Sequence, residues 1–204
     1  MIDSEPIFAE AAPRFLARRN LVLVPEILQQ MLGMPGRQAL PIFRKHYGLS
    51  ESVEEVAAEC RAHFYDVLGA HPPPLLPGVL DLLDRLERKP IPTAIATSSR
   101  SVYVRRVLTP HGLLDRFSFV LTSDDVTLGK PHPEIYQKAA GRFGHEPSAM
   151  LVLEDSPNGL RAAKGAGARC IVVPHDLVPR KEITEADAVL TSLRDPRLAE
   201  ILGV

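Results

Sequence analysis

Residues 151–168 read LVLEDSPNGLRAAKGAGA: an apolar run, then two acidic residues, then a segment rich in alanine. The short apolar run predicts a buried strand, and the spacing of the apolar residues after it predicts a helix over residues 157–166. Pro157 suits the first turn of that helix, and Asp155 or Ser156 suits the cap position before it. A strand that leads directly into a helix is the repeating unit of a parallel α/β sheet.

The same alternation fills the C-terminal two thirds of the chain. Apolar runs predict further strands at 91–96, 119–122, 169–173 and 188–190, and amphipathic segments predict helices near 78–89, 101–111 and 133–144. Connections of this length imply a Rossmann-like parallel sheet with helices on both faces. Ligands of such sheets bind beyond the carboxyl ends of the strands, so the residues that follow each strand are the candidates for a functional site.

The N-terminal part of the chain has a different pattern. Residues 71–78 read HPPPLLPG, and four prolines in eight residues exclude a continuing helix, so this segment predicts a boundary or hinge. Before it, apolar residues recur at helical spacing without strand-like alternation, which predicts an all-helical unit in which Pro13 kinks or splits the first helix. We therefore expect a helical domain at 4–74 and an α/β domain at 75–204.

The charge balance argues against several classes of partner. The chain has 24 lysines and arginines against 25 aspartates and glutamates, and a net charge of -1 does not favour nucleic acid or an anionic membrane. The apolar runs are far shorter than the ~20 residues of a membrane span, and the N-terminus does not resemble a secretory signal, so we expect a cytoplasmic protein. Cys60 and Cys170 lie far apart and are expected to be reduced thiols.

Two predicted strand ends carry residues suited to a phosphorylated ligand. Residues 95–100 read IATSSR, so the hydroxyl groups of Thr97 and Ser98 and backbone N–H groups meet at a predicted helix start, which favours an anion. The same residue types also serve as ordinary helix caps. Glu154 and Asp155 follow another strand, and carboxylate oxygens at that position suit Mg²⁺.

A lysine lies in the segment between these two strand ends. Residues 127–134 read TLGKPHPE, and Pro131 biases Lys130 toward an extended backbone. A lysine fixed at this edge can neutralise a phosphoryl group and the acidic pair at once. A single lysine in a loop is more commonly a solvated surface charge, so its position between the other two segments is what favours a role.

The order of these segments resembles the haloacid dehalogenase superfamily, in particular the phosphatase and β-phosphoglucomutase-like branch with a helical cap. IATSSR, GKPHPE and LVLEDSPNGLRAAKGAGA follow one another as in that family, with DSEP before the helical part and LLPGV after it. The resemblance runs from Asp3 to about Leu190. It implies a haloacid dehalogenase-like α/β core, and a cap formed by the helical domain.

The resemblance also implies roles for individual residues. Thr97 and the Ser98 N–H would bind phosphate, Lys130 would hold the phosphate and the nucleophile, and Asp155 with Glu154 would bind Mg²⁺. Three further residues would lie near the substrate: Ser99, Arg100 and Asn158. The implied partner is a small phosphorylated metabolite, and the oligomeric state stays open, with a monomer favoured.

One element of the family is not found in this sequence. Members of the family open with a buried strand that ends in DxDGT or DxDGV, whose first aspartate is the nucleophile and whose second is the general acid and base. The present sequence begins at MIDSEP, where Asp3 corresponds to a position past that motif. In the family this strand lies between the strands that end here at Thr97 and Glu154, so its absence should leave two strand edges unpaired.

The sequence therefore favours a Mg²⁺-dependent hydrolase of a small phosphomonoester, of sugar or nucleotide type, that works through an aspartyl-phosphate. Its nucleophile would lie upstream of Met1, and we expect the 204-residue chain by itself to be inactive. One alternative is a non-catalytic binder of a phosphate ligand, or a remnant, if Met1 is the natural start. The other is a β-phosphoglucomutase-like sugar phosphomutase, which needs a second phosphate site; Arg37 in residues 33–37, GMPGR, is its candidate.

Overall fold

The computed structural model describes residues 1–2, 5–31, 36–174 and 178–204. These residues form two compact units, Met1–Leu75 and Leu76–Val204. Asp3 and residues 33–35 of the GMPGR segment lie outside the described residues, so the predictions made for them stay predictions. None of the helices in the described ranges is long and apolar enough to cross a membrane.

The regular elements of the first unit are all α-helices within its described residues; one isolated antiparallel bridge joins Ile2 to Leu75. Its helices are α1 (Glu5–Ala17), α2 (Pro25–Met31), α3 (Gly36–His46) and α4 (Val53–Ala70). Ser52 and Glu55 form a capping box that starts α4. The core consists of side chains from α1, α3, α4 and the loop before α4: Phe15, Leu16, Phe43, Leu49 and Val56.

Of the two effects predicted for Pro13, a kink or a split, the split does not occur, because α1 continues through this residue. A proline in a helix removes one backbone hydrogen bond but leaves the others available. Phe15 and Leu16 follow on the next turn and are fully buried, and their packing holds that turn against the rest of the unit.

The second unit alternates strands and helices. Its elements are α5 (Val79–Arg88), β1 (Ala94–Ala96), α6 (Ser101–Leu108), β2 (Phe119–Leu121), α7 (Glu134–Phe143), β3 (Leu151–Glu154), α8 (Pro157–Ala166), β4 (Arg169–Val172), β5 (Ala188–Val189) and α9 (Pro196–Leu202). The paired strands are all parallel, which confirms the predicted class. β1 begins three residues later than predicted, because Pro92 has no N–H group for a strand ladder. α6 ends at Leu108, just before Pro110.

The strands form two sheets rather than one. β1 pairs with β2, and β3, β4 and β5 form a second sheet in that order. Within the described ranges, β1 and β3 are each paired along one edge only, β1 with β2 and β3 with β4. This interruption lies between the strands that end at Thr97 and Glu154, where the sequence predicted unpaired edges.

Helices cover both faces of the larger sheet, as predicted. Cys170 and Val172 of β4 point to one side, where they pack in a cluster with Tyr136 of α7 and Leu160 of α8. Ile171 points to the other side, toward α5 and α9. Burial raises the pKa of the Cys170 thiol to about 12, so this cysteine stays a protonated core residue.

We predict that Ile171→Ala lowers the free energy of unfolding by about 2 to 5 kcal/mol, because it opens a cavity where β4 meets α5 and α9. Leu80→Ala on the exposed side of α5 is the control, since Leu80 is 47% exposed, whereas Ile171 is 1% exposed. Denaturation by urea, followed by circular dichroism, measures both variants. An equal loss in the two would contradict the assignment of Ile171 to the core.

Candidate functional site

One lysine links the carboxyl ends of the two sheets. The Lys130 Nζ donates a hydrogen bond of 3.0 Å to the Ala96 carbonyl oxygen at the end of β1. The same ammonium group forms an ion pair with the Glu154 carboxylate at the end of β3. Both side chains are buried, with Lys130 8% and Glu154 7% exposed. The structure therefore brings three sequence-predicted features together: the end of β1, Lys130 and the acidic pair.

The Glu154 carboxylate is surrounded by donors. Its Oε1 accepts hydrogen bonds from the Lys130 ammonium and the Tyr136 hydroxyl. Its Oε2 lies 3.3 Å from the Asp155 backbone nitrogen and 3.3 Å from the Ser156 Oγ. A carboxylate has about four acceptor positions, so these donors together match its capacity. This arrangement offsets the desolvation of a buried ion pair, which is otherwise costly.

Gly159 provides the space in which this carboxylate lies. A Cβ atom at residue 159 would overlap the Glu154 carboxylate, so any side chain here would displace it. Gly159 is in the first turn of α8, where its backbone N–H donates a hydrogen bond of 3.1 Å to Ser156 Oγ. The positive end of the α8 dipole therefore lies next to the negative charge of Glu154.

Asp155 stands directly beside this pair. Desolvation raises the pKa of the Asp155 carboxyl group, and the negative charge of Glu154 raises it further. No group of three His, Cys, Asp or Glu side chains in the described part of the chain forms a ready metal cluster. Mg²⁺ needs no such cluster, since it binds one or two carboxylates together with water and phosphate oxygens. The donor set therefore fits a magnesium ion held by Asp155, with the charge of Glu154 close by.

The segment after β1 is ordered by its own hydrogen bonds. The Ser99 backbone N–H donates to Thr97 Oγ1 at 3.1 Å, and the Thr97 N–H extends the ladder to Leu121. No hydrogen bond among the described residues uses the Ser98 N–H, and Ser98 is exposed. The Thr97 hydroxyl and the Ser98 N–H are thus the groups of this segment that a phosphate could reach.

The start of α6 differs from the sequence prediction. The Asp124 carboxylate accepts hydrogen bonds from the Ser101 backbone N–H (2.9 Å), the Ser101 Oγ (2.7 Å) and the Arg100 Nε (3.0 Å). These bonds lower the pKa of Asp124 to about 2, so it is a permanent anion. The sequence predicted that the N-terminus of α6 favours a ligand anion. In the structure the Asp124 carboxylate already lies there.

Two residues predicted to lie near the substrate make local contacts. Arg100 is bonded to Asp124 while its side chain remains 76% exposed. Asn158 Oδ1 accepts a hydrogen bond of 2.7 Å from Arg161 one turn along α8. Neither contact joins these residues to Lys130, so their role toward a substrate stays a prediction.

The loop that carries Lys130 is fixed by Glu134. Its carboxylate accepts hydrogen bonds from the backbone N–H groups of Thr127 (3.0 Å) and Leu128 (2.8 Å) and pairs with Lys138. The bond to Lys138 and the two backbone bonds lower the pKa of Glu134 to about 2. The His132 Nδ1 accepts a hydrogen bond from the Glu134 backbone N–H within this loop.

Sequence reasoning missed four residues that shape this site: Asp124, Glu134, Tyr136 and Gly159. Tyr136 could have been suspected, since a tyrosine on the apolar face of a helix needs a partner for its hydroxyl. Its burial and the charge of Glu154 raise its pKa, so the phenol stays protonated and donates. The sequence indication for Asp124 was weaker, because α6, which it caps, begins 23 residues earlier in the chain.

Comparison with known proteins supports this picture. The model of the haloacid dehalogenase-like hydrolase family matches residues 1–173. A validoxylamine A 7′-phosphate phosphatase of Streptomyces hygroscopicus subsp. limoneus is 32% identical over 204 residues, which cover 98% of this chain and 93% of that protein. A phosphorylated carbohydrates phosphatase of Thermotoga maritima is 31% identical over 194 residues, which cover 93% of this chain and 88% of the relative.

A solved structure gives the same result at the level of the fold. The crystal structure of a β-phosphoglucomutase-like protein from Thermotoga maritima superimposes with a TM-score of 0.83 at 28% identity. The match covers 100% of this chain and 94% of that chain.

We predict that Glu134→Gln changes the pH dependence of stability. With its pKa lowered to about 2 in the folded state, ionised Glu134 stabilises the fold at neutral pH, and this contribution is lost as the pH falls from about 4.5 toward 2. The difference in unfolding free energy between wild type and variant should shrink over that range, as measured by urea denaturation at pH 6 to 2. Glu146→Gln, at an exposed position, is the control. A difference that stays constant with pH would contradict the role given to Glu134.

Proposed function

Since this chain belongs to the haloacid dehalogenase-like hydrolases, we propose that it is a Mg²⁺-dependent phosphatase of a small phosphomonoester. The observation that carries the proposal is the position of the Lys130 ammonium group, between the end of β1 and Glu154. A buried positive charge at the carboxyl edge of parallel strands favours a phosphoryl group there. The names of the two phosphatase relatives, which specify phosphorylated substrates, support the same class of ligand.

Each residue of the site has a proposed role in phosphoryl transfer. Thr97 Oγ1 and the Ser98 N–H donate to oxygens of the phosphoryl group, and Lys130 neutralises part of its charge. Enzymes of this kind act mainly by positioning and electrostatic stabilisation, because charge spreads over the equatorial oxygens in the transition state. The fixed loop around Glu134 supports this role, since it limits the movement of the segment that carries Lys130.

We assign the metal site to Asp155, together with the negative charge of Glu154. Bound Mg²⁺ would neutralise phosphoryl charge and orient the group for attack. Asp155 would hold the ion through its carboxylate, whereas the Glu154 oxygens already accept bonds from Lys130, Tyr136 and neighbouring groups. In this assignment Glu154 contributes mainly charge.

We further propose an aspartyl-phosphate intermediate. An aspartate oxygen attacks phosphorus, the bond to the leaving-group oxygen breaks, and that oxygen takes up a proton; water then cleaves the acyl phosphate to inorganic phosphate. The nucleophile would lie on a strand between β1 and β3. Support comes from β1 and β3, each of which has one edge that pairs with no described strand. Further support comes from Lys130, which contacts the ends of both strands.

A sugar phosphomutase is the second candidate, favoured by the likeness to a β-phosphoglucomutase-like structure. A mutase holds a second phosphate, and Arg37, which lies in α3, is the residue that the sequence offers for it. An assay with hexose 1-phosphates separates the two activities: a mutase yields the 6-phosphate, and a phosphatase yields inorganic phosphate. A protein that binds phosphate without either product is the non-catalytic alternative.

We predict that Asp155→Asn lowers Mg²⁺-dependent phosphate release by about 100-fold or more, since it removes the metal ligand. The protein with its natural N-terminus is assayed against a panel of sugar and nucleotide phosphomonoesters, with and without Mg²⁺. Asp81→Asn, whose side chain is 69% exposed on α5, is the matched control. Unchanged turnover in Asp155→Asn would refute the metal assignment.

Lys130→Ala should reduce turnover by a similar factor, because the phosphoryl charge loses its fixed counter-charge. The variant also leaves Glu154 buried without its cation, so its stability is measured alongside activity. Lys89→Ala, at an exposed position after α5, controls for the loss of one positive charge. If Lys130→Ala retained wild-type turnover, the proposed phosphate site would be wrong.

A further inference from the structure

We propose that Tyr136 and Gly159 are positioning residues of this site: together they hold the Glu154 carboxylate, and through it the Lys130 ammonium group, in one place. The inference rests on the proposed function, and it deepens it by explaining what keeps Lys130 at the end of β1. Neither residue needs to touch the substrate. Each acts through Glu154, one by donating a hydrogen bond and the other by leaving space.

Tyr136 contacts both members of the ion pair. Its hydroxyl donates to Glu154 Oε1, the same oxygen that Lys130 uses. Its ring centroid lies 4.8 Å from the Lys130 Nζ, within the range of a cation–π interaction. The side chain lies on the buried face of α7 and is 4% exposed. Its hydroxyl therefore cannot replace the hydrogen bond to Glu154 with one to water unless the core repacks. Tyr136 therefore restricts where Oε1, and with it the ammonium group, can lie.

Gly159 is not explained by backbone conformation. It has no positive φ angle, and it lies within α8, where alanine is the better helix former. What the position requires is space, since a Cβ atom would occupy the volume of the Glu154 carboxylate. Gly165 in the same helix is the contrast: a Cβ there would meet Pro133 at 3.6 Å, an ordinary contact. Only the first of these two glycines is tied to the site.

The consequence for Lys130 follows from its burial. With Glu154 displaced, the ammonium group would keep the Ala96 carbonyl oxygen but lose its charged partner. A buried cation without a counter-charge is unfavourable, so it would move toward another acceptor or toward solvent. A displacement of about 1 Å is enough to lower turnover strongly in a site that works by orientation.

The first test combines Tyr136→Phe and Gly159→Ala with two readouts. In the protein with its natural N-terminus, we expect kcat to fall about tenfold in Tyr136→Phe, which loses one hydrogen bond to a charged group, while KM changes little. In Gly159→Ala we expect a fall of about 100-fold. The controls are Tyr47→Phe and Gly165→Ala, and both should keep wild-type kcat. Tyr47→Phe removes a hydroxyl that accepts a hydrogen bond from the Val24 backbone N–H in the helical unit.

The second readout does not depend on activity. The protons of a buried, hydrogen-bonded lysine ammonium group exchange slowly with water, so the group gives an observable ¹H–¹⁵N NMR signal. The signal of Lys130 is identified as the one that is absent in Lys130→Ala. Wild type and both controls should show this signal, and Tyr136→Phe and Gly159→Ala should lose it. If the wild-type protein hydrolysed no phosphomonoester but the signal behaved in this way, the proposed function would fail and the positioning inference would stand.

A rescue variant separates positioning from a general structural effect. Glu154→Asp shortens the side chain by one carbon–carbon bond, about 1.5 Å, and withdraws the carboxylate from residue 159. The double variant Gly159→Ala with Glu154→Asp should therefore be more active and better folded than Gly159→Ala alone, although each single change is harmful. Wild-type kcat and an intact ammonium signal in both Tyr136→Phe and Gly159→Ala would overturn the inference, as would the absence of any rescue by Glu154→Asp.

Discussion

The buried ion pair between Lys130 and Glu154 is the interaction on which the rest of the α/β unit depends. Two charges removed from water destabilise a fold by several kcal/mol each unless hydrogen bonds compensate them, and removing one partner costs about 3 to 5 kcal/mol. Here the compensation comes from three neighbours of Glu154, namely Tyr136, Asp155 and Ser156, and from the Ala96 carbonyl oxygen. The charged pair therefore constrains the residues around it, in α7, in α8 and at both strand ends.

Those constraints explain choices of residue that look unremarkable in the sequence. A tyrosine stands on the apolar face of α7, and a glycine stands in the first turn of α8, where most helices would carry a better helix former. Glu134 holds the loop that delivers the lysine, through bonds to two backbone N–H groups. Asp124 orders the start of α6 next to the segment that ends β1. Each residue fixes an element that the ion pair requires to be in place.

Much of this unit was predictable because local patterns determine it. Apolar runs located the strands, and the rule that ligands bind beyond the carboxyl ends of parallel strands selected Thr97 and the acidic pair as candidates. Lys130 was selected by its position between these two segments. The resemblance to a family predicted the interruption between β1 and β3. What the patterns missed were contacts between residues distant in sequence: periodicity marks Tyr136 as core without naming Glu154, 18 residues later, and nothing local connects Asp124 to α6.

The order of the strands bears on how the site is assembled. Every strand pair in the described residues joins neighbours in chain order, β1 to β2 and then β3 to β4 to β5. The contact of Lys130 with both strand ends can exist only when the two sheets stand side by side. The integrity of the site therefore reports whether the two sheets of the α/β unit are assembled.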